Sequence, residues 1–150
     1  IIGEDYRDKP TNLIPFITDV ALGKKEKLLV FGDDYNTNDG TGKRDYIHIE
    51  DLARGHLFAL EKLSKESNIC RDINLGTGKS YSVLEVIKAF ETASGKNIPY
   101  QIIERREGDI AEICADPTFA LKFLGWEAKL DLERMCVDSW RWKVMNPNGY

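Results

Sequence analysis

A chain of 150 residues with 21 Lys and Arg against 25 Asp and Glu, a formal net charge of −4 and 42% hydrophobic residues has the size and mix of one ordinary soluble domain. No apolar run approaches the roughly 18 residues of a membrane-spanning helix, and scattered cations on an acidic chain argue against a nucleic-acid partner. Any anionic ligand must therefore be held by a few placed cations.

The punctuation of the chain is regular. Pro10 and Thr11 precede an apolar stripe at Leu13, Phe16, Ile17 and Val20 that stops at Gly23, which predicts a helix of about three turns. Leu28 to Phe31 is a β-type run closed by Gly32, and residues 32–43 are rich enough in Asp, Asn and Gly to predict a solvated loop. Leu52, Leu57, Leu60 and Leu63 mark a second amphipathic helix, and residues 73–75 predict a strand that runs into Gly76-Thr77-Gly78. Ser82 and Glu85 form a capping-box pair ahead of Val83, Val86, Ile87 and Phe90, with Gly95 at the far end. Residues 98–103 alternate as a strand, Asp116-Pro117 reads as an N-cap followed by a first-turn proline, and a last helix starts at Asp131. Helices alternating with short strands define a mixed α/β layer structure.

Cys70, Cys114 and Cys136 are odd in number and well separated, and only His48 and His56 could join them. Neither a disulfide framework nor a zinc site fits, so the expectation is reduced, buried thiols in a cytoplasmic protein. The chain opens at Ile1 without an initiator Met or a signal-like segment, which suggests a processed or truncated product.

Several motifs bear on chemistry. Gly76-Thr77-Gly78-Lys79-Ser80 sits where a phosphate-cradling loop would, but the phosphate-loop pattern wants glycine where Ile73 stands and the dinucleotide pattern wants it at Tyr81. A tight strand-to-helix turn is the better reading. The loop at Asp34, Asn36 and Asn38 fails as a calcium loop, because Asp39 and Asp45 stand at the positions of the turn Gly and the bidentate Glu. Arg44-Asp45-Tyr46 and Arg105-Arg106-Glu107-Gly108-Asp109 are more informative. An arginine fork matches a phosphate, a neighbouring carboxylate accepts ribose hydroxyls and an aromatic gives a flat face. Converging, the two clusters would bind a phosphorylated sugar; apart, they are surface ion pairs. No Tyr is followed four residues later by Lys, so a dehydrogenase proton relay is absent from the sequence, and both histidines read as structural.

Pro10-Thr11-Asn12-Leu13-Ile14-Pro15, Val30-Phe31-Gly32-Asp33-Asp34-Tyr35, residues 39–48, Asn74-Leu75-Gly76-Thr77-Gly78 and Arg105-Arg106-Glu107-Gly108-Asp109 occur in the order seen in UDP-glucose 4-epimerases. Over nearly its whole length, from Gly3-Glu4-Asp5 to Asn146-Pro147-Asn148-Gly149-Tyr150, the chain resembles the C-terminal part of that family. The resemblance implies the substrate-binding portion of an extended short-chain dehydrogenase (Rossmann-type) fold, with residues 48–78 packing on an N-terminal NAD-binding domain absent from this chain. It also implies the substrate-site residues. Asn12 and Leu13 would lie beside the hexose and diphosphate, and Leu29, Val30 and Phe31 would give backbone contacts and an apolar wall to the uracil. Arg44 and Arg106 would clamp the diphosphate, Tyr46 would help close the site and Asp109 would hold the ribose. Ile113 falls at a position associated with tolerance of N-acetylated sugars, and its intermediate size leaves that preference open.

The family reaction inverts the sugar 4-position of UDP-galactose or UDP-glucose, with NAD taking and returning a hydride. No catalytic, cofactor-binding or metal-binding residue is expected within these 150 residues. Homodimers are common in the family, through helices expected upstream. Two other readings fit the motifs less fully: a piece of another nucleotide-sugar epimerase or dehydratase, and a non-catalytic nucleotide-sugar-binding module.

Overall fold

Helix α1 spans Leu13–Ala21 and buries Ile17 and Val20, as the apolar stripe predicts. Asn12 precedes it with extended backbone, but its amide donates to both Glu4 carboxylate oxygens, at 3.2 and 3.1 Å, and does not cap the helix. The computed structural model describes residues 4, 6, 10–68 and 70–149; Ile1, Gly3, Asp5 and Tyr150 lie outside them.

Strand β1, Leu28–Phe31, pairs in parallel with β4, Tyr100–Ile103. The latter starts two residues later than its alternation suggests. Ile98 sends its N–H to the Glu91 carboxylate at 2.8 Å, and Pro99 has no N–H to give a ladder. A second sheet has β2, Lys43–Asp45, at its centre, antiparallel to β3, Ser80–Ser82, and parallel to β5, Glu112–Ile113.

Helix α3, Val83–Ser94, begins with the predicted capping box. The Ser82 hydroxyl accepts from Glu85 N–H at 3.0 Å, and the Glu85 carboxylate accepts from Ser82 N–H at 2.7 Å. Helix α5, Leu132–Met145, follows an Asp131 cap and lays Leu132 and Cys136 against α1, β1 and α3. Ile17, Val30, Val86, Phe90 and Ile98 complete this core, with Trp140 edge-on to Phe90 at 6.0 Å. Helix α4, Thr118–Leu124, starts one residue later than expected: Pro117 precedes it, and the Asp116 carboxylate accepts from Thr118 N–H at 2.9 Å.

Three expectations change. Residues 73–75 form no strand, because no described segment pairs with them and a strand exists only through its ladder. The 32–43 loop is not simply solvated: Tyr35 and Thr41 are buried, and Asp39 accepts from Thr41 N–H at 2.9 Å, from the Thr41 hydroxyl at 2.8 Å and from the Ser82 hydroxyl. Partial burial pulls the Asp39 carboxyl upward, but these bonds outweigh it and hold the group below its ordinary value. Finally, only Cys136 is buried, with its thiol pushed up to about 12 by desolvation, whereas Cys70 and Cys114 are exposed.

Helix α2, Ile49–Lys65, is the structural anomaly. His48 caps it, its Nδ1 accepting from Glu50 N–H at 3.1 Å, but its buried residues are Asp51 and Gly55 alone. The Asp51 carboxylate takes N–H bonds from Lys129 at 2.8 Å and Leu130 at 2.7 Å and a bond from Arg54 at 2.8 Å. These hold the helix by its polar face. Its apolar residues Ile49, Leu57, Phe58, Leu60 and Leu63 are exposed. An uncovered stripe of this kind marks an interaction surface. The 150-residue chain by itself is therefore expected to self-associate in sedimentation, and a monomer that melts cooperatively would refute this.

Candidate functional site

Because β1 and β4 run parallel, their carboxyl ends deliver Phe31 and the 104–109 segment to one edge, the place where open α/β structures bind ligands. There the Arg106 guanidinium lies over the Phe31 ring at 4.4 Å. Among the described residues the Arg106 guanidinium makes no hydrogen bond or ion pair, so its fork of donors is uncommitted. Its neighbour Arg105 is committed, stacked on Tyr35 at 4.1 Å with Nε donating to the Asp34 carboxylate at 2.5 Å.

The second arginine cluster meets the first. Arg44 Nη1 donates to Ile110 O at 2.9 Å and Nη2 lies 3.5 Å from the Asp109 carboxylate. The two motifs thus converge through an ion pair that is partly exposed and worth about 1 kcal/mol at most. Such a pair is weak enough for a ligand to rearrange. Ile113 sits opposite Arg44 in the parallel register and is exposed.

Tyr46 stands off this edge. It lines a cleft of about 770 Å³ with Ile14, His48, Leu132, Asp138 and Trp142. Burial pushes its phenol up to about 12, against the pull of Arg44, so Tyr46 is a neutral hydrogen-bond donor near pH 7. His48, also in this cleft, caps α2 through Nδ1 and has Nε2 3.3 Å from Asp138 Oδ2.

The remaining expected site residues divide. Leu29 is exposed, whereas the Val30 side chain is 1% exposed inside the core and offers a ligand only backbone. Asn12 and Leu13 lie at the start of α1, beside Ile14 of the Tyr46 cleft. Among the described residues no hydrogen bond or ion pair links them to Arg44, Arg106 or Asp109.

Asp45 departs from the sequence reading, in which it could have served ribose hydroxyls. Alternation along β2 turns it away from Arg44. Its carboxylate accepts from Thr77 N–H at 3.0 Å, the Thr77 hydroxyl at 2.5 Å, Gly78 N–H at 3.0 Å and Ala115 N–H at 3.3 Å. The Gly76-Thr77-Gly78 turn does cradle an anion, but that anion belongs to the chain. A Cβ at Gly76 would lie 2.6 Å from Asp45 Oδ2, so glycine is required by this close approach. The Gly76-Thr77-Gly78 turn is therefore filled by the Asp45 carboxylate and does not cradle a dinucleotide phosphate. Among the described residues there is no group of three or more potential metal ligands.

Against known proteins, the model of the NAD dependent epimerase/dehydratase family matches residues 1–76. The chain belongs to that family. Within it, the chain is 58% identical over 149 residues to the UDP-glucose 4-epimerase of Bos taurus, covering 99% of this chain and 42% of the relative. It is equally similar, at 58%, to the UDP-glucose 4-epimerase of Bacillus subtilis, of which it covers 44%. The UDP-glucose 4-epimerase of Bifidobacterium longum, solved in complex with NAD+ and UDP, superposes with a TM-score of 0.91 at 48% identity, over 99% of this chain and 44% of that one. The chain thus spans less than half the length of these relatives, and its fold is that of Rossmann-type epimerases.

Asp45→Asn removes the charge and replaces one of the two acceptor oxygens with an amide that cannot accept from the Thr77 N–H or hydroxyl. The substitution is expected to cost about 2–3 kcal/mol, read as a lower urea midpoint at unchanged slope; a midpoint equal to the parent's would show that the carboxylate does not hold the turn.

Proposed function

We propose that these 150 residues form the UDP-sugar-binding part of an NAD-dependent UDP-glucose 4-epimerase that interconverts UDP-galactose and UDP-glucose. The observation that carries this reading is the uncommitted Arg106 guanidinium on Phe31, on the same short turn as the Asp109 carboxylate that meets Arg44. Two guanidinium groups, one carboxylate and an aromatic, gathered where the ends of β1 and β4 approach β2, are the recognition chemistry of a nucleoside diphosphate.

In this reading Arg106 and Arg44 take the diphosphate, Asp109 leaves Arg44 to accept ribose hydroxyls, and Phe31 with the Leu29 and Val30 backbone forms the base wall. Tyr46, with Asn12 and Leu13, closes the hexose side as a neutral donor, and Ile113 borders the sugar. NAD, when bound, supplies hydride transfer, and in this reading it is held outside these residues, since the Gly76-Thr77-Gly78 turn is taken by Asp45. The exposed stripe of α2 and the unpaired 73–75 segment are suited to pack on the NAD-binding part as a helix face and a further strand. That packing would make the substrate site complete only in the longer protein.

Calorimetric titration of the complete protein with UDP tests the site. Arg106→Ala is expected to weaken UDP by about tenfold or more, since a charged hydrogen bond contributes about 1.5–3 kcal/mol; parent-like affinity in this variant would sink the assignment. Because no Tyr and Lys relay is present, the 150-residue chain with added NAD is expected to give no conversion of UDP-galactose to UDP-glucose. Measurable turnover by the chain alone is the contrary result.

A further inference from the structure

Adjacent arginines at the end of β4 have opposite fates: Arg106 is uncommitted over Phe31, while Arg105 is tied down from three directions. Its guanidinium carbon lies 4.1 Å from the Tyr35 ring centroid, Nε donates to Asp34 Oδ1 at 2.5 Å, and Nη2 donates to the Asp34 carbonyl. Tyr35 is 6% exposed and its hydroxyl, among the described residues, has no partner. The ring is therefore held for its face and not for its hydroxyl. Gly32 completes the arrangement, with φ +83° and room for no side chain: a Cβ there would lie 2.7 Å from Arg105 Cγ and 2.8 Å from Tyr35 Cε2.

We infer that Arg105 is a positioning residue that sets Arg106 and Asp109 for a nucleoside diphosphate, an inference that rests on the diphosphate reading above. The connection is short and covalent. Arg105 fixes the backbone where the next residue begins a turn, closed by Asp109 N–H donating to Arg106 O at 3.2 Å. Whatever anchors the start of this turn also places Asp109, and through it the end of Arg44. The ion pair with Asp34 cannot do this alone, because both side chains are substantially exposed and such pairs contribute little. The guanidinium over a buried ring, with Nε and Nη2 both directed at Asp34, fixes one orientation of the fork, which an ammonium has no fork to adopt.

The test uses the complete enzyme that carries this sequence, titrated with UDP and assayed at varied UDP-galactose. Arg105→Lys keeps the charge but loses the stack and the Nε donor. It is expected to weaken UDP by about tenfold and to raise KM similarly, with kcat within about twofold. Tyr35→Leu is expected to match it, Tyr35→Phe to restore binding, and the Tyr35→Leu, Arg105→Lys double variant to be no weaker than either single one. Parent-like UDP affinity in Arg105→Lys, or additive losses in the double variant, would overturn the positioning role while a weakened Arg106→Ala left the diphosphate reading standing. Parent-like affinity in Arg106→Ala would overturn both. If Arg105→Lys does not fold, Arg105→Gln, at the same partly exposed position, decides: it removes the guanidinium from the Tyr35 ring, so about tenfold weaker UDP binding supports the role, and unchanged binding overturns it.

Discussion

A single carboxylate, that of Asp45, joins parts of the molecule that sequence keeps far apart. It closes the Gly76-Thr77-Gly78 turn against β2 and takes the Ala115 N–H just past β5. Three backbone N–H groups that would otherwise need a partner are satisfied by one internal anion, as a phosphate would satisfy them at a nucleotide-binding turn. The three-stranded sheet around β2 is thereby fixed, and with it Arg44, the residue before Asp45. The proposed diphosphate clamp depends on this carboxylate without including it.

The second organising constraint is incompleteness. The core formed by α1, α3, α5 and the β1–β4 pair is well covered, whereas α2 is held through Asp51 and presents its leucines outward. A helix with a polar inner anchor and an apolar outer stripe inverts the usual arrangement of a surface helix. The inversion makes physical sense if the stripe is internal to a larger structure, consistent with a chain that spans 42–44% of its curated relatives in Bos taurus and Bacillus subtilis.

Local features were legible in the sequence where the physics is local. The Ser82 and Glu85 capping box, the Asp131 cap and the glycine at Gly95 act within one helical turn, and the structure reproduces them. The strand expected at residues 73–75 has no partner among the described residues; strand formation requires one, and apolar alternation reports only that the segment is suited to pairing. Cys70 and Cys114 were placed inside by residue type alone, although exposure is settled by neighbours. Arg105 and Arg106 are the sharpest case. Nothing in the dipeptide distinguishes them, yet one is bound to Asp34 and Tyr35 and the other is uncommitted.

By itself the sequence determined the α/β class, the family resemblance and the order of the elements, since these rest on short-range periodicity, caps and motif order. It also supplied the candidate binding residues. Tertiary structure alone decided which of them meet: Arg44 with Asp109, Arg106 with Phe31, and Val30 withdrawn into the core. It also decided that the glycine turn holds Asp45, 32 residues distant from Thr77. Contacts over that separation depend on how sheets and loops close in space, and residue spacing does not encode which group arrives first.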